Sequence, residues 1–213
     1  ECDNAGIEEI SFTNVGRSSG LTDAEYDGIN QHTLGVIWID VNRDDWVDLF
    51  MVNGVIGPPN LLLNLGNGRF ENRPELLPPD LPLVEMSGAT YADYDNDGDP
   101  DIFITNLNPI FELYLPNTLD GERDWLFRNL WVENGGQIIE GEPLFEEVAV
   151  EAGVAGIVDP PFGDLPGQRS TTSTWFDYDR DGWLDLFVGT WVLSNPGTVA
   201  SRDRLYRNLG DGT

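Results

Sequence analysis

Three antiparallel four-stranded sheets in an all-β chain are what this sequence predicts, on three observations. A nine-residue acidic pattern occurs three times. Each copy is flanked by short runs of aromatic and β-branched residues, which favour strands. Asn-Gly and Asp-Gly pairs, the strongest turn signals between strands, follow downstream. The acidic copies are Asp40-Val41-Asn42-Arg43-Asp44-Asp45-Trp46-Val47-Asp48, Asp93-Tyr94-Asp95-Asn96-Asp97-Gly98-Asp99-Pro100-Asp101 and Asp177-Tyr178-Asp179-Arg180-Asp181-Gly182-Trp183-Leu184-Asp185.

Apolar runs enter each loop (Val36-Ile37-Trp38-Ile39, Ala89-Thr90-Tyr91-Ala92, Thr174-Trp175-Phe176) and leave it (Leu49-Phe50-Met51-Val52, Ile102-Phe103-Ile104, Leu186-Phe187-Val188). Each loop is therefore expected at a hairpin tip. A second shared unit follows each, centred on Asn64-Leu65-Gly66-Asn67-Gly68, Asn129-Leu130 and Asn208-Leu209-Gly210-Asp211-Gly212. Repeat 1 spans 35–87, repeat 2 spans 88–172 and repeat 3, an incomplete unit, spans 173–213. Repeat 2 carries two insertions, 107–124 and 155–170, expected as surface loops because the pattern resumes in phase after both. Residues 1–34 hold a strand, Ile10-Ser11-Phe12-Thr13-Asn14-Val15, that echoes Leu144-Phe145-Glu146-Glu147-Val148 and is expected to complete the last sheet. Helix is scarce; the one stretch with any helical pattern is 146–152.

The chain has 213 residues, with 38 Asp and Glu against 11 basic residues, all arginine, for a formal charge of −27. With 40% hydrophobic residues the chain can still build a packed core, so this acidity does not signify disorder. A chain this negative repels phosphate, which excludes a nucleic-acid partner. No apolar run approaches the roughly 18 residues of a membrane span. The start at Glu1 fits a processed, exported protein, and Cys2, the only cysteine, excludes an internal disulfide. Extracellular or cell-surface residence is the expectation.

Charge this lopsided disfavours the compact state unless cations offset it. Two carboxylates about 4 Å apart repel by about 1 kcal/mol even in bulk water. In a tight loop, alternate side chains point inward, so positions 1, 3, 5 and 9 converge while position 7 offers its backbone carbonyl. Hard oxygen ligands in that number suit Ca²⁺ better than Mg²⁺, which keeps its waters, or zinc, which wants His and Cys. An EF-hand is excluded, since its position 12 needs Glu and Met51, Ile104 and Val188 stand there. About three calcium sites follow: Asp40, Asn42, Asp44, Trp46 and Asp48; Asp93, Asp95, Asp97, Asp99 and Asp101; Asp177, Asp179, Asp181, Trp183 and Asp185. The first is the weakest, with Asn42 in place of a carboxylate and Asp45 where the turn prefers Gly.

These loops, with their Asp-Leu/Ile-Phe exits and the Asn-Leu-Gly-x-Gly units, resemble the FG-GAP/VCBS repeats, the calcium-binding blades of integrin-α-type β-propellers. The resemblance implies β-propeller-type blades and metal ligands at positions 1, 3, 5, 7 (through the carbonyl) and 9. A ring of such blades needs four or more, so three imply either part of a longer propeller or closure by self-association. The leading reading is a calcium-binding extracellular scaffold, self-assembling head to tail into a filament by strand complementation. The alternative is an adhesion or carbohydrate-binding module within a longer chain, with Phe111, Tyr114, Trp131, Phe162 and Trp191 as sugar-stacking aromatics and a glycan or extracellular protein as partner. Trp38, Tyr91, Trp175 and Trp183 are expected in the packing between sheets. Catalysis is not expected: lysine is absent, His32 is the sole histidine and the clustered aspartates are committed to metal.

Overall fold

The computed structural model describes residues 12–21, 33–54, 57–81, 84–107, 123–156, 170–190 and 203–211. Three antiparallel sheets are formed. The first runs β1 (Thr33–Ile39), β2 (Asp48–Asn53), β3 (Asn60–Asn64) and β4 (Phe70–Asn72), each strand beside the next. The second repeats that order with β5 (Met86–Ala92), β6 (Asp101–Asn106), β7 (Trp125–Asn129) and β8 (Phe145–Glu147). The third has three strands, β9 (Ser170–Phe176), β10 (Asp185–Thr190) and β11 (Arg204–Tyr206). Among the described residues, helical structure is confined to a 3-10 turn at Pro74–Leu76. No helix among them is long and apolar enough to cross a membrane.

The sheets are layered, and the second is the middle layer. Because side chains alternate across a strand, Ile102, Ile104 and Phe127 join one cluster with Phe50, Leu61 and Leu63 of the first sheet. Phe103 and Leu126 join another with Leu186 and Val188 of the third. Strands buried on both faces read as unbroken apolar runs, which is the pattern of 102–104. Each such side chain contributes about 1.5–3 kcal/mol when fully buried. Polar links add to this: Asp124, 2% exposed, accepts from Arg204 Nη2 at 2.8 Å and from Ser170 Oγ at 2.7 Å, tying the second sheet to the third.

The first strands of adjacent sheets come closest. A Cβ on Gly35 of β1 would sit 3.0 Å from Cα of Gly88 of β5, so glycine at 35 permits the approach. Farther out, the sheets are separated by Leu76, Leu77, Leu144 and the partly buried Trp131 and Ile138.

Several expectations are revised. Trp38 and Tyr91 are 50% and 48% exposed rather than packed between sheets. Trp175 does pack there, against Tyr94 and Phe103. Trp131 packs against the first core and so is not a free stacking surface. Residues 146–152 hold the end of β8 and a turn closed by Ala152 N–H to the Val148 carbonyl (2.8 Å), not a helix. Apart from these revisions, the Ser19 carbonyl of the amino-terminal segment accepts from Phe70 N–H at 2.8 Å, beside the first sheet. Residues 10 and 11 of the expected strand, most of both insertions, and Phe111, Tyr114, Phe162 and Trp191 lie outside the described residues.

Candidate metal centre

All three acidic loops are hairpin tips on the same rim, and they share one construction. In each, the residue before position 1 pairs with the aspartate at position 9: Ile39 with Asp48, Ala92 with Asp101, Phe176 with Asp185. These three aspartates are fully buried. One oxygen of each accepts the N–H of position 2, from Val41, Tyr94 and Tyr178, at 3.0–3.1 Å. The other accepts the N–H of Asn64, Asn129 or Asn208 at 2.8–2.9 Å.

The tips are shaped by positive φ at positions 4 and 6. Arg43, Asn96 and Arg180 occupy position 4 with φ between 52° and 64°. At position 6, Gly98 and Gly182 take φ of 102° and 94°, where Asp45 takes 69°. A side chain there is strained by about 1–2 kcal/mol. That strain is the physical form of the first loop's weakness.

The carboxylate at position 1 accepts backbone N–H groups across each loop. Asp40 holds Asp44 and Asp45, Asp93 holds Gly98, and Asp177 holds Asp181 and Gly182, at 3.0–3.1 Å. Position 5 accepts from position 7: Asp44 from Trp46, Asp97 from Asp99, Asp181 from Trp183, at 2.8–3.0 Å.

Convergence of the acidic side chains differs between loops. Asp93, Asp95 and Asp101 each bring one oxygen to within 4.8 Å of the others, and so do Asp177, Asp179 and Asp185. The first loop forms no such trio among the described residues. There Asn42 donates instead to Asp44 (3.1 Å). In the third loop Arg207 reaches over the tip, its Nε to Asp179 (2.7 Å) and Nη2 to Asp181 (2.9 Å). In the second, Asp93 Oδ1 and Asp97 Oδ2 are buried with no hydrogen-bond partner. An anionic oxygen buried without a partner is costly. A hard cation among these oxygens would satisfy them, so the donor set fits one.

The electrostatics carry the same message. Burial pushes Asp101 up to about 9 against the N–H bonds from Asn129 and Tyr94, with Asp95 and Asp99 adding to the rise. Burial likewise lifts Asp99 to about 7 and Asp48 to about 6, and raises Asp95.

Two groups of residues play parts that their types alone did not announce. Asn129 Nδ2 bridges the Pro100 carbonyl of its own loop (3.2 Å) and the Val41 carbonyl of the loop before it (2.9 Å). Asn208 repeats this with Leu184 (3.2 Å) and Tyr94 (2.7 Å). Asn64 makes the own-loop bond to Val47 at 3.0 Å. Asn129 and Asn208 thus clamp their tips to the one before, while Asn64 holds its own. Asp99 is the other departure: its side chain, and not only its carbonyl, is engaged, Oδ2 accepting from Val132 N–H at 2.8 Å.

Residues 12–104 match the model of the FG-GAP-like repeat. This stretch belongs to the FG-GAP-like repeat family. Two of the three acidic loops fall inside the match, and the third, beyond it, shares with them the two backbone N–H bonds to the aspartate at position 9. The chain is also similar to cartilage acidic protein 1. Identity is 28% over 210 residues with the Mus musculus protein, covering 97% of this chain and 28% of that protein. With the Homo sapiens protein it is 29% over 210 residues, covering 97% and 27%. With the Xenopus tropicalis protein it is 26% over 198 residues, covering 88% and 26%. The chain thus spans about a quarter of the length of these relatives.

Proposed function

We propose that this chain is a calcium-binding FG-GAP repeat scaffold of the extracellular space, built of propeller-type blades and able to associate head to tail. The observation that carries the calcium reading is the convergence of three carboxylates in each of the second and third loops, anchored by the buried Asp101 and Asp185, with unpartnered oxygens in the second. Oxygen-only ligands in flexible loops are the coordination chemistry of Ca²⁺. Relatives whose name ties them to cartilage and to acidity support the extracellular assignment, as does a charge of −27 that bound divalent ions would offset. The role is structural rather than catalytic.

Calorimetric titration with calcium tests this. Heat that saturates in the millimolar range or below is expected from the wild type. An Asp93→Asn, Asp177→Asn double variant should lose most of it. Equal heats from the two proteins would contradict the loop assignment.

Head-to-tail association is supported by the two outer faces of the layered sheets. Inside the molecule, Trp175 on the face toward the preceding sheet packs on Tyr94 at 6.3 Å. Trp38 occupies the matching place on β1 and is half exposed, and Tyr178 matches Tyr94 and is 45% exposed. Phe176 and Leu205 are exposed beside Tyr178, as Val36 is beside Trp38. One end therefore carries the donor half of the internal interface and the other carries the acceptor half, the arrangement that gives heterologous contacts. Sedimentation velocity in calcium should show oligomers for the wild type and monomers for Trp38→Glu. A wild type that stays monomeric at all concentrations would mean that these faces serve repeats of one longer chain.

A further inference from the structure

We propose that the second repeat holds an additional divalent-cation site, formed by Asp97, Asp99 and Glu133, beside the loop site and sharing Asp97 with it. The sharing makes this inference rest in part on the loop reading. One oxygen of each of the three carboxylates lies within 4.8 Å of the others. Acidic residues at a surface often cluster without binding anything, but this trio has a buried anchor. Asp99 is 0% exposed, and its Oδ1 has no hydrogen-bond partner. Asp97 Oδ2 is buried and equally without one. Two anionic oxygens shielded from water and unpaired cost free energy that a cation between them would recover.

Comparison among the three repeats supports the assignment. At position 7 the first and third loops carry Trp46 and Trp183. Each indole lies against the glycine of the following turn: a Cβ on Gly66 would meet Trp46 at 2.9 Å, and one on Gly210 would meet Trp183 at 2.7 Å. The second repeat departs from this at both places together. Asp99 replaces the tryptophan, and the turn residues become Trp131, Val132 and Glu133. Val132 N–H fixes Asp99 Oδ2 at 2.8 Å. The bulky contact that closes the other two tips is thereby exchanged for a carboxylate trio. Glu133 is exposed, so the site opens to solvent and a bound ion would complete its shell with water. Carboxylates with several retained waters suit Ca²⁺ and admit Mg²⁺.

Radiocalcium equilibrium dialysis, carried to about ten times the 10⁻⁴–10⁻³ M dissociation constant expected of such sites, counts the ions bound. Glu133→Gln, at an exposed position, should bind one ion fewer than the wild type with its fold intact. Asp99→Asn keeps an acceptor for Val132. It should raise the melting temperature in chelator, by removing an unpaired buried charge, and reduce the further rise on adding calcium. A count that falls with Asp93→Asn but not with Glu133→Gln overturns the additional site alone. A count that falls with Glu133→Gln but not with Asp93→Asn overturns the loop site and leaves this one. No ion bound by the wild type overturns both.

Discussion

Removing calcium with a chelator is expected to lower the melting temperature by about 10 °C. An ion held at ten times its dissociation constant stabilises the folded state by about 1.4 kcal/mol per site. The second and third loops together give about 3 kcal/mol, and each kcal/mol shifts the melting point of a domain this size by about 2–4 °C. The metal-free protein should also respond to pH in a sense opposite to that of most acidic proteins. Asp48, Asp99 and Asp101 are raised to about 6, 7 and 9 from 3.8. Above pH 4 the folded chain therefore binds more protons than the unfolded one. Stability must then fall as pH rises from about 4 to about 9. Calcium binds the ionised carboxylates, so it should bind more tightly as pH rises and flatten this decline. Thermal melts by circular dichroism, with calcium and with chelator at pH 5, 7 and 9, measure both effects. Melting that ignores the chelator at every pH would contradict the account.

Replacing Asn129 by alanine should cost about 3 kcal/mol, while the same change at Asn64 should cost about 1. Asn129 is fully buried. Its amide satisfies the carbonyls of Val41 and Pro100, and its Oδ1 accepts from Trp131 N–H at 3.0 Å. Alanine strands all three groups, and each stranded buried polar group costs roughly 1–3 kcal/mol, in part relieved by water. Asn64 clamps only its own tip, bonding Val47 and accepting from Gly66 (3.0 Å), in a half-buried setting. Urea denaturation with a common slope reads the difference directly. Equal losses at the two positions would show that the link between neighbouring tips contributes nothing. If copies associate head to tail as proposed, Asn64 would face the Tyr178 end of the next copy, and the Asn64 variant should then also weaken association.

Much of this was legible in the chain because its rules are local. Alternation, turn pairs and the spacing of Asp93, Asp95 and Asp101 act over a few residues, so strands, hairpin tips and converging carboxylates could be read off directly. Glycine preference at one turn position identified Asp45 as the strained residue. What escaped depends on contacts between distant segments. Glu133 reaches Asp97 and Asp99 only because β7 returns beside β6, and Arg207 crosses to Asp179 because β11 lies beside β10. The asparagines were visible as a recurring motif, but a bond from Asn129 to Val41 spans 88 residues and requires knowing that the sheets stack in order. Trp38 was misplaced for a related reason. An aromatic residue on a strand packs only if something covers its face, and that is decided by neighbouring layers rather than by the residue.

The contact between Gly35 and Gly88 has a consequence for shape. With the inner edges nearly touching and the outer edges held apart by leucine and tryptophan side chains, successive sheets diverge like the pages of a half-open book. The opening angle is set by how little lies at the spine and how much at the fore-edge. A methyl group on Gly35 would thicken the spine and flatten the spread between the first two sheets. The angle between these two sheets is in this sense governed by one missing side chain.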